Sequence, residues 1–317
     1  NTCLLLSFDF KSCPSRMAYR RPQYRRRPVA YRKKRGGSRP RSQQKKRTYR
    51  KKGAMSKKRI LNVTSRKKRD TMLTWSNITA ASQTGSTTYT TSPAVITGGT
   101  TLHPLVIWSP TARDLNRVSG VGGVVDVATR TATTCYMRGV KESLEIQVVN
   151  GVPWQWRRIV FTSKGLYRDI GTSSSFSLFN ETSNGMMRTF NQPTGQNRLN
   201  LESILFRGTV NVDWLDQIIA PIDTTRVTLM YDKTRTIASG NEDGVIRKYN
   251  FWHPMNKNLV YDDDESGDSM STTNWSVTSK PGMGDVFIVD IFRSRSGTTA
   301  SDALAVSATS TLYWHEK

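Results

Sequence analysis

The chain has 317 residues, with 48 Lys+Arg against 24 Asp+Glu and a formal net charge of +24. No apolar run approaches the roughly 18–20 residues that a membrane-crossing helix needs, and Leu4–Leu6, with no basic residues before it, makes a poor secretory signal. Cys3, Cys13 and Cys135 are odd in number and widely spaced, with no Cys-x-x-Cys or Cys/His ligand spacing, so neither a disulfide framework nor a zinc site is indicated.

Residues 1–16 are mildly apolar and nearly uncharged, and Met17-Ala18-Tyr19-Arg20 reads as a natural start. They are expected to be an upstream extension. Residues 17–69 then carry 24 basic residues and no Asp or Glu, while from Asp70 onward 22 basic residues face 23 acidic ones. The net charge of the chain is therefore the charge of this arm. Such a block of like charge repels itself and cannot build a core, so it is expected to be disordered and to need a polyanion. Nucleic acid is the commonest polyanion.

The candidate nucleic-acid contacts are Arg20, Arg21, Arg25, Arg26, Arg27, Arg32, Lys33, Lys34, Arg35, Arg39, Arg41, Lys45, Lys46, Arg47, Arg50, Lys51 and Lys52. Tyr19, Tyr24, Tyr31 and Tyr49 are interleaved with them, and Pro22, Pro28, Pro40 and Gly36-Gly37 block helix. Arg forks onto phosphate and Tyr stacks on unpaired bases, which suits single strands. The plainer reading is a solubilising tail. Tighter clusters, among them Lys57-Lys58-Arg59 and Arg66-Lys67-Lys68-Arg69, have the form that a nuclear import receptor reads, although any basic arm produces such clusters by chance.

The composition changes at Asp70, where a domain boundary is expected, with Met72 opening the first ordered segment. Residues 82–101 are rich in Thr, Ser and Gly and should cross the surface. Strand signals follow over 102–108, 136–149, 154–162, 175–179, 203–212, 226–231, 245–252, 285–292 and 304–314, with a short helix as an alternative over 199–206. Leu144, Ile146 and Val148, and later Leu304, Val306 and Ala308, fall at every second position, so each strand gives one face to a core. About eight to nine strands joined by long loops predict an all-β, antiparallel sandwich over 70–317.

Catalytic chemistry has little to stand on. His103, His253 and His315 lack spaced partners, and no Gly-x-Ser-x-Gly, His-Glu-x-x-His or Walker-type loop occurs. No catalytic residue, metal ligand or cofactor is assigned. The acidic run Asp262-Asp263-Asp264-Glu265-Ser266-Gly267-Asp268 partly matches a calcium loop, but Thr273 stands where a bidentate Glu is required. It is read as a solvated loop or a contact for a neighbouring subunit. In Trp154-Gln155-Trp156-Arg157-Arg158, alternation sets Trp154, Trp156 and Arg158 against Gln155 and Arg157. The Trp residues read as core, and Arg157 or Arg158 as possible nucleic-acid contacts if the strand lines an assembly.

The Met-Ala-Tyr-Arg-Arg start with its Arg/Tyr/Lys interleaving, the Lys67-Lys68-Arg69-Asp70-Thr71-Met72 junction, Tyr136-Met137-Arg138-Gly139 and the closing Leu312-Tyr313-Trp314-His315 together resemble the coat proteins of genomoviruses, small circular single-stranded DNA viruses associated with fungi. Residues 1–16 depart from that pattern. The resemblance implies a single eight-stranded jelly-roll and a small icosahedral shell of about sixty identical subunits. It also implies a circular single-stranded DNA genome held by the arm inside the virion, and an import receptor that takes the protein to the host nucleus through residues such as Lys57, Lys58, Arg59, Arg66, Lys67, Lys68 and Arg69. No membrane partner is implied. The competing reading is a cellular, non-specific nucleic-acid-binding protein of chromatin or ribosomal type.

Overall fold

A computed structural model describes residues 55–118 and 120–317. The upstream extension, 1–16, and the arm from Met17 to Ala54 lie outside the described residues. The first elements are α1 (Lys57–Thr64), β1 (Arg66–Ser76), β2 (Ala94–Thr97), β3 (Leu105–Trp108), β4 (Asn116–Arg117) and β5 (Gly120–Val121). The middle of the chain forms β6 (Thr134–Val148), β7 (Trp154–Ser163), α2 (Leu166–Ile170), β8 (Asn180–Thr182), β9 (Gly185–Phe190) and α3 (Gly195–Leu205). It closes with β10 (Thr228–Ile237), β11 (Val245–Val260), β12 (Asp264–Ser266), β13 (Ser269–Ser271), β14 (Asp285–Ser294) and β15 (Ala303–Glu316).

The described residues are mostly β, and among them every strand pairing is antiparallel except that of β1 with β9. One sheet runs β11-β6-β15-β1-β9-β8, with β2 also on β15; a second runs β10-β7-β14-β3. The pairings nest. β1 pairs with β15, β3 with β14, β6 with β11 and β7 with β10. Between the sheets, Leu144, Ile146, Leu304 and Val306 of the first meet Trp154, Trp156 and Phe292 of the second. Each fully buried large apolar side chain of this kind contributes about 1.5–3 kcal/mol.

The second sheet is covered on its other face as well. Ile159, Phe161, Phe287 and Val289 pack beneath α2, α3 and the segment through Trp214 and Ala220. This explains why β14 is buried along most of its length instead of alternating.

Three expectations change. The boundary expected between Arg69 and Asp70 falls inside β1, which pairs with β15 from Arg66↔Glu316 onward. Order extends further back into the basic segment because Lys68 is anchored in the fold. The strand expected over 203–212 is instead the end of α3 followed by turns, with Phe206 making only an isolated bridge to Ile222; an Arg198–Glu202 pair one helical turn apart, at 2.7 Å, supports the helix. The strand expected over 175–179 is a single bridge, Ser173↔Phe176, with β8 beginning after it.

Candidate nucleic-acid interface

The contacts expected from Arg20 to Lys52 lie outside the described residues, which begin at the downstream end of the basic segment. Ser56 caps α1, its Oγ accepting the Arg59 backbone N–H at 3.3 Å. Lys57 and Arg59 are exposed on that helix. The cap was the available signal for α1, but the surrounding positive charge hid it.

In β1 the two-residue period divides the basic cluster. Lys67 and Arg69 point outward and are exposed. Lys68 points inward and is 3% exposed. Its Nζ lies 3.1 Å from Glu316 Oε2 and donates to the Thr129 carbonyl at 2.8 Å and to Thr131 Oγ1 at 2.9 Å. Lys68 is therefore a structural cation, and Arg66-Lys67-Lys68-Arg69 cannot be offered whole to a receptor. Arg138 and Lys141, exposed on the outward side of β6, stand singly in the sequence and outside any dense basic cluster; the alternation of that strand is the signal that marks them.

The β7 expectation is half overturned. Trp154, Trp156 and Arg158 share a face and are buried, with Trp as core. Arg157 faces the other way but is buried too. Its guanidinium forks onto Asp232, at 2.9 and 2.6 Å, and donates to the Gln217 and Ala220 carbonyls at 2.7 and 2.8 Å. Neither arginine can reach nucleic acid. Alternation separated the two faces correctly, but it could not reveal that the second one is covered.

Arg158 belongs to a buried four-charge cluster between the sheets. It donates to Glu142 Oε2 at 2.6 Å and to both oxygens of Asp290 at 2.8 Å. Arg188 reaches Asp290 Oδ2 at 3.0 Å and Glu142 Oε1 at 3.3 Å. Trp156 Nε1 and Ser310 Oγ complete the carboxylate shells at 2.8 Å each. Burial pushes both carboxyls up, but the two guanidinium groups outweigh it and hold Glu142 and Asp290 below the usual carboxylate range. Two cations and two anions cancel, so the cluster joins the sheets and offers no charge to a ligand.

The three histidines stand apart. His253 is buried beside the cluster, and burial followed by the Arg158 charge lowers its pKa to about 4. His103 Nε2 contacts Asp216 Oδ1 at 3.3 Å, at the rim of an open cavity of about 760 Å³ that also borders Trp154, Arg293 and Arg295. His315 lies on the outward face of β15 beside Tyr136, with ring centroids 6.1 Å apart.

The acidic run is not wholly solvated. Asp263 is buried against Arg130, with contacts of 2.5 and 3.0 Å, and the Arg130 guanidinium sits 3.8 Å from the Tyr261 ring centroid. Asp264–Ser266 is the first strand of the exposed β12–β13 hairpin. Among the described residues no group of three or more His, Cys, Asp or Glu is placed to hold a metal ion.

No protein-family model matches this chain, and no curated protein sequence matches it.

Proposed function

We propose that this protein is a structural coat subunit that assembles with copies of itself and packages circular single-stranded DNA through residues 17–54. The observation that carries this reading is the separation of charge. The whole positive excess lies in residues 17–69, while 22 basic residues balance 23 acidic ones from Asp70 onward. A near-neutral β body can tile without self-repulsion while a cationic leader neutralises phosphate. At sixty copies, the 17 cations between Arg20 and Lys52 of each chain bring about 1,020 charges, enough for partial neutralisation of a genome of a few kilobases.

The fold supports the same reading. The nested pairing of β1 with β15, β3 with β14, β6 with β11 and β7 with β10 is that of a long hairpin rolled into two four-stranded layers, which we take as a jelly-roll with short strands added at its margins. Exposed apolar loop residues supply surface for subunit contacts, with Val118, Val121 and Val125 on one loop and Val212, Leu215 and Ile219 on another. Lys57 and Arg59 on α1, with the arm clusters before them, serve nuclear import. The protein has a structural role and no catalytic one.

Negative-stain microscopy of the full chain with and without circular single-stranded DNA tests the proposal. Closed particles of uniform size support it. A monomer at every concentration, with or without DNA, favours the cellular nucleic-acid-binding reading.

A further inference from the structure

The outward face of β1, β15, β6 and β11 is organised in rows by the strand register. One row runs Lys67, His315, Tyr136, Asn258. The next runs Arg69, Tyr313, Gly139, Pro254, with Arg138 beside it at the β6 bulge. A third runs Thr71, Thr311, Lys141, Trp252. None of these residues is acidic. The first carboxylate met along the face is Glu145, two positions beyond Ser143 and opposite Lys248. Lys67, Arg69, Arg138 and Lys141 make no salt bridge among the described residues, although fourteen such pairs form elsewhere. The local field is felt by His315, whose pKa is lowered by burial and then by Lys67 and Arg138.

Aromatic rings lie among these cations. Trp252 is 48% exposed, an unusual position for the largest apolar side chain. It meets Tyr313 edge to face, with ring centroids 5.8 Å apart. Gly139 makes room for it: φ is +153° there, and a Cβ would stand 2.8 Å from the indole Cζ2 and 2.5 Å from the His253 carbonyl oxygen. The six-membered ring of the indole therefore rests against the Gly139 backbone. Arg138 Nη1 is held by Asn256 Oδ1 at 2.5 Å. The face is positioned in advance by strands and does not depend on a loop.

We propose that this face is a second contact for single-stranded nucleic acid, carried by the body, in which Trp252 and Tyr313 stack on unpaired bases while Arg69, Arg138 and Lys141 hold the phosphates between them. The inference deepens the coat-protein reading and rests on it for the source of the strand. Three observations select this occupant. The three rows are cationic and free of acid, so they are complementary to phosphate. The exposed ring of Trp252 and the half-buried ring of Tyr313 suit bases that are not already stacked in a duplex. The face borders Arg66, itself an exposed cation, at the start of β1.

The test uses the full chain and a bromodeoxyuridine-substituted single strand of roughly 30 nucleotides, long enough to span arm and face. After irradiation, cross-linked peptides are mapped by mass spectrometry. Links at peptides carrying Tyr136, Trp252 or Tyr313, in addition to arm peptides, are expected. Links confined to the arm would overturn this inference and leave the packaging reading standing; absence of links anywhere would overturn both. Links at the face that disappear in assembled particles would mean that a second copy covers it there, which also overturns the proposal. As a control, replacing Trp252 and Tyr313 together by Ala should weaken binding by about fivefold or more, whereas replacing both by Phe should leave it near the parent value. Equal affinity of the Ala and Phe pairs would exclude stacking.

Discussion

Arg158, on β7 of one sheet, donates from Nη1 to Oε2 of Glu142, on β6 of the other, at 2.6 Å in a site where both side chains are almost wholly buried. The contact bridges the two layers, and Asp290 and Arg188 close it into a neutral cluster. Removing one member leaves charge without a partner in the core. Replacing Glu142 by Ala should therefore cost about 3–5 kcal/mol, seen as a lower denaturation midpoint. A loss below about 1 kcal/mol would mean that water enters the site and screens it.

Two buried groups give opposed pH slopes. Asp285 accepts from the Ser276 backbone N–H and Oγ but has no cationic partner within salt-bridge reach among the described residues, and burial raises its pKa to about 7. The folded state thus holds a proton that the unfolded state releases near its ordinary value of 3.8, so stability falls as pH rises from about 4 to 7. His253 behaves in the reverse sense. Its folded pKa of about 4 lies below the ordinary 6.5, so stability is lost as pH falls from 6.5 to 4. The groups facing it, Arg158, Glu142 and Asp290, keep their charge in that window. The two slopes largely cancel between pH 4 and 6.5. Asp285→Asn should unmask a stability that rises with pH there, and His253→Gln one that falls. Thermal midpoints at several pH values check both, and parallel profiles for the two variants would refute the assignment.

Adjacent lysines on β1 should separate folding from binding. Lys68→Ala should lower the melting temperature, because Glu316 and Thr131 lose a buried partner. Lys67→Ala, which removes only exposed donations to the Asn62 and Ser65 carbonyls, should change it little while reducing the slope of log affinity against log salt by about 0.7 if that lysine meets phosphate. Equal effects of both substitutions on melting would contradict the inward and outward placement.

The strand framework was legible wherever apolar residues alternated. Leu144, Ile146 and Val148 enter the core as the pattern requires, and so do Leu304 and Val306. The four-charge cluster was not legible, because Glu142, Arg158, Arg188 and Asp290 register as polar residues at inward positions and only pairing across the sheets explains them. Arg157 was misread for a related reason: a sequence period marks two faces but not the segment that covers the second. α1 was hidden by its own charge. The outward face of the large sheet was written in single residues on four strands far apart in the chain, from Lys67 to Tyr313, and only their register brings them together.

The most direct measurement replaces the 17 Arg and Lys residues between Arg20 and Lys52 by Gln and compares sedimentation and 260/280 nm absorbance of the assembled product with those of the parent. The account predicts that both proteins form particles and that the substituted ones lose most of their nucleic acid, keeping only a weak, salt-sensitive remainder. Substituted particles that retain as much nucleic acid as the parent would contradict it.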